Sequence, residues 1–128
     1  MSRTIWRQGR LSSSRDCDIY GVAVNIPPEF ADQLMDAIDS VMEPVYPGYR
    51  RCFYYYPVKG TWKTMESANP YNGSKGEITV AEELRIKFVC RKEDISSVLQ
   101  KIREVHPYEE PAIDVVPQIG WKEFIPSL

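Results

Sequence analysis

A chain of 128 residues and 14.8 kDa fits one compact domain, because folding at this size buries roughly two thirds of the unfolded surface. With 43% hydrophobic and 27% charged residues, its composition is that of an ordinary globular protein and excludes a disordered, collagenous or coiled-coil chain. No apolar run approaches the ~20 residues that span a bilayer, and a net charge of -2 supplies no general field for a polyanion, so neither membrane nor nucleic acid is expected as a partner.

Charge is unevenly placed at the start. Arg3, Arg7, Arg10 and Arg15 occur with no acid among residues 1–15, which leaves the remainder clearly acidic. The segment lacks the apolar core of a secretory signal, and Ser12-Ser13-Ser14 reads as flexible polypeptide. The expectation is a disordered basic extension over 1–15 and one domain over 16–128, with a basic arm or a presequence as functional alternatives. Cys17, Cys52 and Cys90 form neither a Cys-x-x-Cys pair nor the even count of a disulfide framework, which points to a reducing, cytoplasmic setting. Cys52 and Cys90 fall within strand-like runs, where a thiol behaves as a small buried hydrophobe.

Ile19 to Ile26 alternates, with Tyr20, Val22, Val24 and Ile26 on one face, and stops at Pro27-Pro28 because proline cannot donate to a ladder. Phe30, Leu34, Ile38 and Val41 then recur at helical spacing opposite Asp32, Asp36 and Asp39, with Pro28 in the first turn and Pro44 barring continuation. Arg50 to Tyr56 reads as an aromatic strand that extends as a ribbon, followed by a connection through Gly60, Asn69-Pro70, Gly73 and Gly76. Leu84, Ile86, Phe88 and Cys90 alternate with Glu83, Arg85 and Lys87, the clearest strand in the chain. Asp94 is placed to cap a helix carrying Ile95, Val98, Leu99, Ile102 and Val105, and Pro107 disfavours helical geometry at His106. Ala112 to Val116 is a short strand, and Trp121 to Ile125 reads as a fifth.

A strand-helix-strand unit repeated once predicts a ferredoxin-like βαββαβ sandwich, α+β in class: one antiparallel sheet with both helices on one face, each burying its stripe against apolar strand positions. Phe53, Tyr54, Tyr55 and Tyr56 cannot all point inward, since successive side chains alternate. Exposed aromatic area beside an open strand edge predicts self-association, with a trimer preferred.

His106-Pro107-Tyr108-Glu109-Glu110-Pro111 gathers the only histidine, two carboxylates and a phenol directly after the second helix. Such a histidine can ligate a metal or act as a base, with Glu109 and Glu110 completing an oxygen-rich cation site. It can equally cap helix carbonyls while a glutamate pairs with an arginine such as Arg85. Tyr49, Tyr54 to Tyr56, Trp62, Tyr71 and Tyr108 could line a pocket for a planar metabolite or fill core and interfaces. The glycines of the long connection match neither a P-loop nor a dinucleotide fingerprint, and no serine sits in a Gly-x-Ser-x-Gly elbow.

The run His106 to Ala112, followed by Asp114, resembles the C-terminal segment of the small domain interpolated in many bacterial members of the NIF-three-like family. Gly60-Thr61-Trp62, Ala68-Asn69-Pro70-Tyr71, Gly73, Gly76 and Glu82-Glu83 follow that domain in order and spacing, as does Gly48-Tyr49 with Cys52-Phe53. The His-Pro-Tyr-Glu element is also similar to that of CutA divalent-cation tolerance proteins, which share a ferredoxin-like fold with PII signalling proteins and form trimers. The resemblance implies a freestanding copy of the interpolated domain with a CutA/PII-like fold. It does not carry over the dimetal site of the full proteins, whose ligands come from flanking halves. Ile113 stands where the family usually has an aromatic residue.

Three functional expectations follow. The first is a non-enzymatic, oligomeric small-ligand or regulatory module whose binding residues are His106, Tyr108, Glu109, Glu110, Tyr49, Trp62 and Arg85. The second is a CutA-like metal tolerance protein in which His106 and Glu109 hold a divalent cation. In the third, a small-molecule enzyme uses His106 as acid or base beside Glu109 or Glu110.

Overall fold

The computed structural model describes residues 17–125; the basic extension expected over 1–15 lies outside the described residues. Six regular elements follow one another: β1 (Ile19–Ile26), α1 (Ala31–Asp39), β2 (Tyr54–Lys63), β3 (Ile78–Arg91), α2 (Ile95–Val105) and β4 (Ile113–Gln118). Single 3₁₀ turns, Pro28–Phe30 and Lys92–Asp94, lead into the two helices. The strands form one sheet in the order β2-β3-β1-β4, every neighbouring pair antiparallel. Each helix therefore connects two strands with one strand between them, the ferredoxin-like arrangement.

Register explains why the helices share a face. Val22 pairs with Phe88, Val24 with Ile86 and Ile26 with Leu84, so the apolar alternation of β1 and β3 faces one way. Leu34, Met35 and Ile38 of α1 and Val98 and Ile102 of α2 close over these side chains in one buried core. Removing a side chain such as Leu34 or Ile86 from water contributes about 1.5–3 kcal/mol each, and this apolar layer holds the sandwich together. Cys90 belongs to it, and burial pushes its thiol up to about 11.

The edges depart from the sequence reading. Trp121 to Ile125 is not a fifth strand: Trp121–Phe124 is a 3₁₀ turn. The reason is a missing partner, since β4 pairs Gln118 with Ile19, the first residue of β1, and the chain beyond has no ladder to join. Cys52 is exposed and precedes β2, whereas Phe53 packs edge-on against Phe88 at 5.2 Å. Tyr54, Tyr55 and Tyr56 all remain exposed, because β2 is an edge strand. Past the end of β1, β2 and β3 continue as a two-stranded ribbon in which Gly60 pairs with Ala81 and Lys63 with Ile78.

Asp94 does not cap α2 through its side chain. Its Oδ2 accepts the Glu43 N–H at 3.0 Å and so ties the start of α2 to the segment leaving α1. That segment is further held by Arg51, whose amide donates to Asp39 Oδ1 at 3.1 Å and whose guanidinium pairs with Asp36 at 2.9 Å. These bonds hold Arg51 at φ 56, a left-handed conformation that a side chain disfavours. Asp94→Ala is expected to cost about 1 kcal/mol and to speed hydrogen exchange at the Glu43 amide. Faster exchange confined to the first turn of α2 would instead restore the capping role.

Candidate functional site: a cleft between the β2–β3 ribbon and the turn after α2

Pro107 ends α2 by sterics at the preceding residue, and His106 leaves the helix in an extended conformation (φ −68, ψ 128) while its amide still donates to Ile102 O at 2.9 Å. Its ring is buried and turns towards β1. Nε2 lies 2.6 Å from the Asn25 carbonyl oxygen, and Nδ1 lies 3.1 Å from the Tyr108 amide nitrogen. A carbonyl can only accept and an amide N–H can only donate, so these partners select the neutral tautomer with its proton on Nε2. The ring is thus a bracket between the end of β1 and the turn after α2. It caps a strand carbonyl, not the helix carbonyls the sequence suggested.

The bracket sends Tyr108 over the ribbon. Its hydroxyl donates to Glu83 Oε2 at 2.7 Å, and its ring meets Trp62 at 5.4 Å and Tyr71 at 6.0 Å. Glu83, on β3, is buried and lies across Gly60 of β2, where an added Cβ would come within 2.6 Å of Glu83 Oε1. A glycine inside a strand is accounted for by that close approach. Glu109 Oε1 accepts the Asn69 N–H at 3.0 Å and anchors the connection between β2 and β3, while the Tyr71 hydroxyl meets Glu29 Oε2 at 3.4 Å. Between these groups opens a cleft of about 500 Å³. Thr64 also lines it, and the buried Thr64 Oγ1 has no hydrogen-bond partner.

Of the residues expected to bind, Trp62, Tyr108, Glu109 and Glu110 line this cleft, and His106 sits beneath it as the group that positions Tyr108. Arg85 is a brace within the sheet: it bonds Asn25 Oδ1 at 2.9 Å and pairs with Asp114 at 2.8 Å, not with a glutamate of the turn. Tyr49 is not brought to the cleft. It lies in the exposed segment between α1 and β2, whose Pro44 carbonyl is bound by Arg91, and Arg91 pairs with Ile19 at the opposite end of β1. Asn25, Thr64, Tyr71 and Glu83 complete the site. Tyr71 belonged to the aromatic set and Glu83 to the polar face of an alternating strand, but nothing local marks Asn25 or Thr64.

Burial holds the His106 imidazole below its ordinary value, with the Asn25 carbonyl partly opposing. Burial and the adjoining Glu83 carboxylate hold the Tyr108 phenol well above its usual range, and the hydrogen bond to Asp114 raises the Arg85 guanidinium. Both His106 nitrogens are engaged by backbone. Among the described residues no three His, Cys, Asp or Glu side chains converge as a metal site. One copy of the chain therefore presents a shaped aromatic and acidic cleft without a ready divalent-ion cage.

The element order and sheet define a ferredoxin-like α+β module. The family model of the CutA1 divalent ion tolerance protein matches residues 62–125, half of the chain, and the chain belongs to that family. It is 30% identical over 99 residues to the GTP cyclohydrolase 1 type 2 homolog of Halalkalibacterium halodurans, a match covering 77% of this chain and 27% of that protein. The chain thus spans about a quarter of the length of that curated relative. Among solved structures, the Bacillus cereus protein related to NIF3 superposes with a TM-score of 0.69 at 24% identity, covering 81% of this chain and 26% of the other. The periplasmic divalent cation tolerance protein CutA of Archaeoglobus fulgidus superposes with 0.60 at 20% identity, covering 84% and 92%. The same β1-to-β4 sandwich is therefore found both as a small part of longer proteins and as nearly the whole of a CutA chain.

The neutral His106 bracket has a pH signature. Its folded value lies below the ordinary 6.5, so on acidification the unfolded chain takes up the proton first, and the stability from this group is complete above 6.5 and lost as pH falls through the folded value. Urea midpoints measured from about pH 7.5 to about pH 5 are expected to decline below 6.5 in wild type. The His106→Gln variant is expected to be less stable throughout and to show a shallower decline over that interval. Parallel curves for the two proteins would remove the bracket from the pH response.

Proposed function

We propose that the chain is a non-enzymatic, oligomeric module that receives a small ligand or cation in the cleft between the β2–β3 ribbon and the turn after α2. The observation that carries this reading is the cleft itself: three aromatic side chains, Trp62, Tyr71 and Tyr108, line it together with a few polar groups, the usual make-up of a small-molecule site. A role in acid–base chemistry has the least support, because His106 spends both ring nitrogens on backbone partners. Among the described residues no helix is long and apolar enough to cross a membrane, and the cysteine pattern supports a cytoplasmic setting.

Self-association, with a trimer preferred, is part of the same reading. Ile78 and Val80 are exposed on the ribbon, Ile119, Trp121, Phe124 and Ile125 are exposed after β4, and β2 and β4 are sheet edges within one copy. Burying such surface against further copies is favourable. Light scattering behind size exclusion at micromolar concentration is expected to give a trimer, with Trp121→Ala and Phe124→Ser weakening it; a wild-type monomer overturns the assembly. In a thermal-shift panel of metabolites, a ligand is expected to raise the Tm of wild type and not of Trp62→Ala. No shift across the panel, or equal shifts in both proteins, counts against the cleft.

The family match favours a second reading, in which a divalent cation is held weakly by His106 and Glu109. It requires His106 to release either Asn25 or the Tyr108 amide. Calorimetry with copper and zinc decides it: equal binding by wild type and His106→Ala removes the ligand on which it depends.

A further inference from the structure

We propose that the cleft recognises an organic cation, a protonated or quaternary amine carrying an apolar body, held between the Glu83 carboxylate and the faces of Trp62, Tyr71 and Tyr108. This rests on the reading of the cleft as a ligand site and names the ligand class.

The first observation is an uncompensated buried acid. Glu83 is only 4% exposed, and its hydrogen-bond partner is the Tyr108 phenol, which satisfies an oxygen but brings no charge. Of the nearby basic side chains, Lys59 pairs with Glu82 and Arg85 with Asp114, while Lys63 lines the cleft without pairing with Glu83. Among the described residues no lysine, arginine or histidine forms an ion pair with Glu83. A buried carboxylate without a counter-charge is costly, and a bound cation offsets that cost.

The second observation is independent of charge. Thr64 is also 4% exposed, lines the same cleft, and its Oγ1 has no partner. The hydroxyl oxygen can accept a hydrogen bond, and a ligand N–H that reaches it as the cleft fills would satisfy it. The third observation concerns the walls. Trp62 and Tyr71 each pack against Tyr108 and all three line the cleft; aromatic faces carry the negative part of the ring quadrupole, so such a wall suits an ammonium group. Glu109 and Glu110 add negative charge, against Lys63 as the one basic residue of the lining, so a phosphate or carboxylate ligand would enter against the field.

The cleft's size separates an organic cation from a bare metal ion. About 500 Å³ is far more than an ion fills, and Met65, Pro70 and Ala112 present apolar surface to the remainder. No cluster of three metal-ligating side chains is found among the described residues.

The test uses three compounds of similar size on the full chain: phenethylammonium, uncharged 2-phenylethanol and anionic 3-phenylpropanoate. Binding is followed by the NMR signal of the Trp62 indole N–H, assigned by its loss in Trp62→Phe. The ammonium compound is expected to bind about tenfold or more tightly than the alcohol, with the carboxylate weakest. Glu83→Gln is expected to bring the ammonium down to the level of the alcohol. Thr64→Val, which keeps the shape and removes the hydroxyl, is expected to weaken the ammonium several-fold, and it serves as the decisive variant should Glu83→Gln fail to fold. Alcohol or carboxylate binding as tightly as the ammonium overturns the cation class while leaving the cleft a ligand site. Zinc shifting the Trp62 signal in a Glu83-dependent way, with no response to the ammonium, overturns it in favour of a metal. Silence towards all three compounds and zinc overturns both this inference and the reading on which it rests.

Discussion

A single imidazole sets the geometry on which the cleft depends. With Nε2 on the Asn25 carbonyl and Nδ1 on the Tyr108 amide, His106 fastens the exit of α2 to the end of β1 and fixes the direction in which the next residues leave. Asn25 is the other half of the joint: its amide donates to Ala112 O, its carbonyl accepts from His106, and its side chain accepts from Arg85. Three segments distant in sequence meet there, so loss of the bracket would loosen the turn, the start of β4 and the Tyr108 ring together. Buried polar groups satisfied in this way specify one arrangement more than they add to net stability.

The cleft is built where the sheet runs out of strands. β1 ends at Ile26 opposite Leu84, and β2 and β3 go on without it, leaving one side of the ribbon for the turn after α2 to cover. That covering converts Glu83 from a surface carboxylate of an alternating strand into a buried one, with Gly60 supplying the space beside it. The polarity of the site is a consequence of topology as much as of composition. Membership in the CutA1 family and the match to longer relatives place the same sandwich in different settings, while the residues that give this cleft its character belong to the ribbon and the turn.

The alternation in β1 and β3 and the spacing of Leu34, Ile38, Val98 and Ile102 were enough to define the elements and the face each buries, because burial of one stripe is a local property of strand and helix periods. The edges were less readable. Trp121 to Ile125 has strand-like composition and forms a 3₁₀ turn, since β structure needs a partner and β1 has none left beyond Ile19. Asp94 has the chemistry of a helix cap and instead bonds the distant Glu43 amide.

Local residue patterns carried the order of elements, the helix-covered sheet and the concentration of His106, Tyr108, Glu109 and Glu110 after α2. The crossing of distant elements made His106 a bracket, set Arg85 against Asp114, left Tyr49 at the far end, and buried Glu83 and Thr64 beside the cleft. The physical reason is that side-chain periodicity records which face is buried, whereas a hydrogen bond between residues 25 and 106 or 83 and 108 depends on the crossing of elements far apart in the chain.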